Sequence, residues 1–66
     1  MLLHINGEAQ EVTGITSVTE LLAYFELRED RVAVEVNLEI VRREQRSTFL
    51  LHDADKIEIV SFIGGG

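Results

Sequence analysis

Three consecutive glycines, Gly64-Gly65-Gly66, follow directly on an apolar strand pattern, Lys56-Ile57-Glu58-Ile59-Val60-Ser61-Phe62-Ile63. A stiff element is therefore expected to give way to a side-chain-free tether ending in a carboxylate. Without Cβ atoms such a segment takes φ of either sign and lies flat in a passage too narrow for any side chain. The chemistry this suits is presentation of the Gly66 carboxylate to the active site of another protein, with Gly64, Gly65 and Gly66 threaded into it. Ordering three residues costs roughly 3–6 kcal/mol of backbone entropy, at about 1–2 kcal/mol each. Docking of a folded body has to offset that. The plainer reading of such glycines is a frayed end without a role.

No side-chain constellation competes with the carboxylate. His4 and His52 are far apart in sequence, and each reads as a surface or half-buried histidine before it reads as a general base. Ser47 and Ser61 have no base placed beside them. His52, Asp53 and Asp55 could hold a metal weakly, but their spacing matches no closed site, and carboxylates in turns are ordinarily structural; no metal site is assigned. The chain has no cysteine, hence no disulfide, thiolate metal site or cysteine nucleophile, which is compatible with a reducing compartment. Twelve acidic residues against six basic ones give a formal charge of −6, which repels phosphate backbones and anionic lipid and makes nucleic acid and membrane poor partners. No apolar run approaches the roughly 20 residues that span a bilayer, and the N-terminus lacks the pattern of a signal peptide. A cytoplasmic location is expected.

Sixty-six residues, 45% apolar and 27% charged, make one small globular domain near the lower size limit for folding without a staple. Leu2-Leu3-His4-Ile5 is a strand pattern, and Asn6-Gly7 suits the positive φ values of a type I′ hairpin, so a second strand is expected around Ala9 to Thr13. Ser17-Val18-Thr19-Glu20 fits a capping box, and Val18, Leu21, Leu22 and Phe25 then share one helical face. Tyr24 sits beside that stripe and is expected to pack. No glycine follows, which leaves the helix end open between Leu27 and Glu29. Val32, Val34 and Val36 alternate with Ala33, Glu35 and Asn37 as in a half-buried strand. A tight turn is expected at Asn37-Leu38, although leucine fits a left-handed position badly, at roughly 1–2 kcal/mol. Glu39 to Arg42 follows as a partner strand. Arg42 to Thr48 reads as an irregular link or single helical turn, Phe49-Leu50-Leu51 returns to the core, and Asp53-Ala54-Asp55 turns into the last strand.

The order predicts an α+β fold: a mixed sheet of about five strands with one main helix across one face. Residues 1–63 form the domain and 64–66 its tail. In the last strand Ile57, Ile59 and Ile63 face the helix, which leaves Val60 and Phe62 on the open side beside Glu58. By the same parity Leu2 and His4 join them, giving an apolar partner-binding patch near the root of the glycines.

The stretch Arg31-Val32-Ala33-Val34-Glu35-Val36-Asn37 with Glu39-Ile40-Val41, and the ending from Asp53 through Ile59-Val60-Ser61-Phe62-Ile63-Gly64-Gly65-Gly66, resemble the ThiS family of sulfur carriers in thiamine biosynthesis. The resemblance covers essentially the whole chain. It implies a ubiquitin-like β-grasp fold, and a carrier that binds no cofactor itself. Gly66 would be adenylated by an activating enzyme that uses ATP and magnesium, converted to a thiocarboxylate by a sulfur-donor system, and would give its sulfur to the thiazole through thiazole synthase. Catalytic residues would then lie in the partners. The chemistry is coherent: a carboxylate is a poor electrophile, AMP supplies a leaving group, and a chain without cysteine has no thiol on which to carry sulfur. Members often have glycine where this chain has Leu38 and Ala54, and proline where it has Arg42. Three alternatives stay open: the small subunit of molybdopterin synthase, a ubiquitin-like modifier joined to lysines through Gly66, and an interaction domain with an inert tail.

Overall fold

The structure, a computed structural model, describes residues 1–62. The expectations for Ile63, Gly64, Gly65 and Gly66, including the boundary between domain and tail, lie outside the described residues.

The chain opens with a hairpin of β1 (Leu2–Ile5) and β2 (Glu8–Glu11). Asn6 at φ 50° and Gly7 at φ 85° form its two-residue turn, the positive pair that matches the twist of the flanking strands. The second strand thus begins before Ala9 and stops at Glu11. Val12 lies beyond it, yet it is buried, and its N–H donates to the Met1 carbonyl at 2.9 Å.

Helix α1 (Val18–Tyr24) starts where the capping box requires. The Glu20 N–H donates to Ser17 Oγ at 3.2 Å, and Glu20 Oε1 accepts from the Ser17 N–H at 3.3 Å. Its end comes earlier than the Leu27 to Glu29 window. Glu26 takes the left-handed position at φ 59° that glycine usually fills. The Glu26 N–H donates to the Ala23 carbonyl at 3.0 Å and the Leu27 N–H to that of Leu22 at 2.8 Å, the two bonds of a Schellman closure. Leu27 folds back against the core, so packing holds a non-glycine residue in the strained position. Val18, Leu21 and Leu22 are fully buried, whereas Phe25 is only partly so. Tyr24, expected to pack, is 46% exposed and meets the Phe25 ring edge-on with centroids 5.1 Å apart.

A 3-10 turn at Glu29–Arg31 leads into β3 (Val32–Val36), which turns at Asn37-Leu38 into β4 (Glu39–Val41). The register pairs Val36 with Glu39, leaving two residues for the turn, and both have positive φ: 52° at Asn37 and 71° at Leu38. The tight turn therefore forms despite leucine. Asn37 anchors it, donating from Nδ2 to Asp55 Oδ1 at 2.9 Å and accepting at Oδ1 from the Lys56 N–H at 3.0 Å. Ala54 also sits in the left-handed region, at φ 72°. The link from Arg42 holds one 3-10 turn, Arg43–Gln45. Of Phe49, Leu50 and Leu51 only Leu51 is fully buried; Leu50 is 57% exposed and bridges to Ser17.

The last strand, β5 (Lys56–Ser61), inserts between β1 and β3, giving the order β2-β1-β5-β3-β4. Only β1 and β5 run parallel. The helix covers one face of this five-stranded mixed sheet, where Val18, Leu21 and Leu22 share a core with Leu3, Val32, Val34, Val36, Val41 and Ile57. The architecture is the expected α+β β-grasp.

Candidate functional site: the open sheet face at the end of the central strand

Strand β5 is paired on both sides, so its direction and end point are fixed by two neighbours. Its last described hydrogen bond runs from the Phe62 N–H to the Arg31 carbonyl at 2.7 Å. The glycines begin two residues further on. Whatever they do, they do it from the end of a central strand.

Strand parity sends Ile57 and Ile59 toward the helix, Ile57 fully buried and Ile59 partly so. Val60 and Phe62 go to the open face, 58% and 57% exposed. Cross-strand register adds residues that parity within β5 did not reveal. Val60 lies opposite Ala33, Glu58 opposite Glu35, and Glu35 in turn opposite Ile40. Ala33, Val34, Glu35, Ile40, Glu58 and Val60 line a shallow depression to which Ile40, 69% exposed, adds the largest uncovered apolar side chain.

Leu2 and His4 share this face but not this place. The parallel register puts His4 level with Lys56, four residues before Val60, or about 13 Å along the strand at roughly 3.3 Å per residue. Leu2, whose carbonyl accepts from the Ala54 N–H at 2.7 Å, is about 20 Å from Val60 on the same scale. The structure gathers Val60, Ala33 and Ile40, with Phe62 next along β5, and sets Leu2 and His4 at the other end of the sheet.

Two carboxylates face each other across this surface, because Glu35 and Glu58 are register partners. Among the described residues neither joins a salt bridge. Directly opposed like charges are unfavourable, so the open face is apolar at its upper end and acidic beside it. Elsewhere carboxylates have structural work. The Asp53 Oδ1 accepts from the Leu2 N–H at 2.7 Å, and Asp55 Oδ2 from the His52 N–H at 2.8 Å. Among the described residues no cluster of His, Asp or Glu has the geometry to hold a metal. Glu20 has its carboxyl held below the usual glutamate range, first by the Thr16 N–H at 2.6 Å, then by the Thr16 hydroxyl at 2.9 Å and the Ser17 N–H; that serves the helix start.

The ThiS family model matches residues 3–66. The chain belongs to the ThiS family. It is 40% identical to the sulfur carrier protein ThiS of Bacillus subtilis (strain 168), over 98% of this chain and 100% of that one. The crystal structure of a thiamine biosynthesis protein (ThiS) from Geobacter metallireducens superposes with a TM-score of 0.85 at 36% identity, covering 100% of both chains. A thiazole synthase from Paramagnetospirillum magneticum is 44% identical over the whole of this chain, which spans only 20% of that relative. The chain thus matches relatives of two kinds, sulfur carrier proteins along their whole length and thiazole synthases along about a fifth of theirs. No helix among the described residues is long and apolar enough to cross a membrane.

The sequence did not disclose Ile40 and Ala33 as neighbours of Val60, because that neighbourhood is made by pairing between strands. Arg46 was also missed. It stands in a polar stretch without period, yet it is only 3% exposed.

Proposed function

We propose that the Gly66 carboxylate is the sulfur-bearing group of this carrier. The observation that carries the reading is a central strand bonded through Phe62, two residues before the first of the three glycines in sequence. An activating enzyme joins Gly66 to AMP: a carboxylate oxygen attacks the α-phosphorus of ATP and pyrophosphate leaves, with magnesium and catalytic groups supplied by that enzyme. Sulfide attacking the acyl carbon expels AMP and gives the thiocarboxylate directly. A persulfide donor gives an acyl disulfide, which a thiol then cleaves to the same product. Thiazole synthase takes the sulfur; the match to a much longer thiazole synthase supports the pairing of the two functions. The work takes place in the cytoplasm, and the body of residues 1–63 carries 64–66 as a threading segment.

The body docks through the open face. Val60 and Phe62 form its centre, extended by Ala33 and Ile40, with the Glu35 and Glu58 carboxylates favouring a basic partner surface. Leu2 and His4, at the far end of the sheet, touch a partner only if its footprint runs the length of β5.

Intact mass before and after incubation with activating enzyme, ATP and a sulfur source tests the proposal. The expected product has one oxygen of Gly66 replaced by sulfur, dependent on ATP. Fragmentation must map the change to Gly66, because oxidation of Met1 adds nearly the same mass. Absence of both adenylate and thiocarboxylate with an active enzyme would reject that pairing. Isopeptide-linked conjugates would indicate a modifier, and stable co-purification with a molybdopterin synthase large subunit the molybdopterin role.

A further inference from the structure

Arg46 is a buried cation with no carboxylate partner among the described residues. Its guanidinium instead bridges two backbone carbonyls, donating from Nη1 to Glu29 O and from Nη2 to Val32 O, each at 2.7 Å. Its Nε has no partner among the described residues. Burying a charge on carbonyls alone is an expensive way to hold a loop. What is held explains the choice. The two carbonyls flank Arg31, and the Arg31 carbonyl accepts the last described hydrogen bond of the β5 segment, from the Phe62 N–H. A planar fork holds the two carbonyls in fixed directions through two separate nitrogens, whereas the three donors of a lysine ammonium share one nitrogen on a flexible stem.

We propose, resting on the carrier reading above, that Arg46 is a positioning residue for sulfur loading: by clamping residues 29–32 it fixes the Arg31 carbonyl, and through it Phe62, the backbone anchor four residues before Gly66. Release of the Phe62 bond removes that anchor, and the activating enzyme then has to fix Phe62 as well. Val60, Ala33 and Ile40 keep their strand pairing, so docking is weakened less than delivery of the carboxylate, which arrives in the right place less often. Arg46 contacts no reacting atom.

The test uses the full chain with Arg46→Met and Arg46→Lys. Both leave the Arg46 backbone carbonyl in place to accept from the Thr19 N–H. Amide hydrogen exchange is followed at Phe62, with Asn6 and Leu51 as references, whose N–H groups bond Ile57 O and Thr16 O at 2.8 Å. Loss of the clamp is expected to speed exchange at Phe62 roughly three- to tenfold beyond any change at the references, the worth of about one hydrogen bond. In ATP–pyrophosphate exchange with the activating enzyme, kcat is expected to fall by the same factor while KM for the carrier changes less than about twofold. Equal acceleration at all three amides, or none at Phe62, would overturn the proposal, as would a rise in KM at constant kcat. If Arg46→Met does not fold, Arg46→Lys decides by the same readings. An unsubstituted chain that is never adenylated would reject the carrier reading alone, because the exchange measurement needs no enzyme and still decides whether the clamp exists.

Discussion

Replacing Leu38 by glycine is expected to stabilise the domain, although it deletes an apolar side chain. Leu38 holds φ 71° in a turn that register restricts to two residues. An L-residue pays roughly 1–2 kcal/mol there, which glycine does not. Glycine in turn loosens the unfolded chain, at about 0.4–1 kcal/mol. Packing contributes almost nothing to the comparison, because the side chain is 92% exposed. The difference lies between about 0 and 1.6 kcal/mol, centred near 0.8 kcal/mol, which raises Tm by roughly 3–6 °C in a domain of this size. Urea unfolding at constant m measures it. Leu38→Ala is the control: it removes nearly the same side chain but keeps the Cβ, so its stability should stay within about 0.5 kcal/mol of the parent. A loss of stability in Leu38→Gly with m unchanged would show that the turn carries no strain to relieve. Equal gains in both variants would mean that the leucine side chain, and not its backbone angle, is the cost.

Phe62→Ala is expected to weaken binding to the activating enzyme with the domain still folded, because the ring is more than half exposed; titration calorimetry alongside circular dichroism checks this, and unfolding or unchanged affinity would contradict the placement of the docking face. Deleting Gly65 and Gly66 is expected to abolish thiocarboxylate formation while shifting stability by less than about 0.5 kcal/mol, read by intact mass and urea unfolding; retained biological activity would favour an interaction domain with an inert tail. The Glu20 carboxyl titrates below its unfolded range because Thr16 and Ser17 donate to its charged form. Its contribution is therefore fully present above the ordinary glutamate range and is lost as pH falls through the lowered folded value. Glu20→Gln should flatten the acid limb of the stability–pH curve in that window, and an unchanged limb would mean the capping carboxylate is not the titrating group.

Local chemistry made much of the fold legible in the sequence. Ser17 and Glu20 announce a helix start through two reciprocal bonds, Asn6-Gly7 announces a turn through backbone freedom, and the valines of β3 announce a buried face through alternation. Each signal is complete within a few residues. The helix end was less legible because Glu26 occupies a left-handed position by virtue of the bonds around it and the packing of Leu27, neither of which a missing glycine can signal. Arg46 was hidden for a similar reason: a cation in a polar run reads as solvated, and the two carbonyls that bury it come from residues 14 and 17 positions earlier.

The same distinction separates the parts of the candidate site. Parity along β5 suffices to put Val60 and Phe62 on the open face, since alternate residues of a strand point to opposite sides. Parity cannot say how far along that face another strand's residue will fall; register does, and register is set by the turns. The two-residue turn at Asn37-Leu38 fixes Val36 against Glu39 and so Glu35 against Ile40. The antiparallel pairing of β3 with β5 then brings Ala33 to Val60. The parallel pairing of β1 with β5 starts from His4 beside Lys56, at the opposite end of the strand. A one-sided apolar patch near the glycines is thus made by β3, β4 and β5. The strained leucine turn that holds β4 in register is consequently part of what places Ile40 at the docking face.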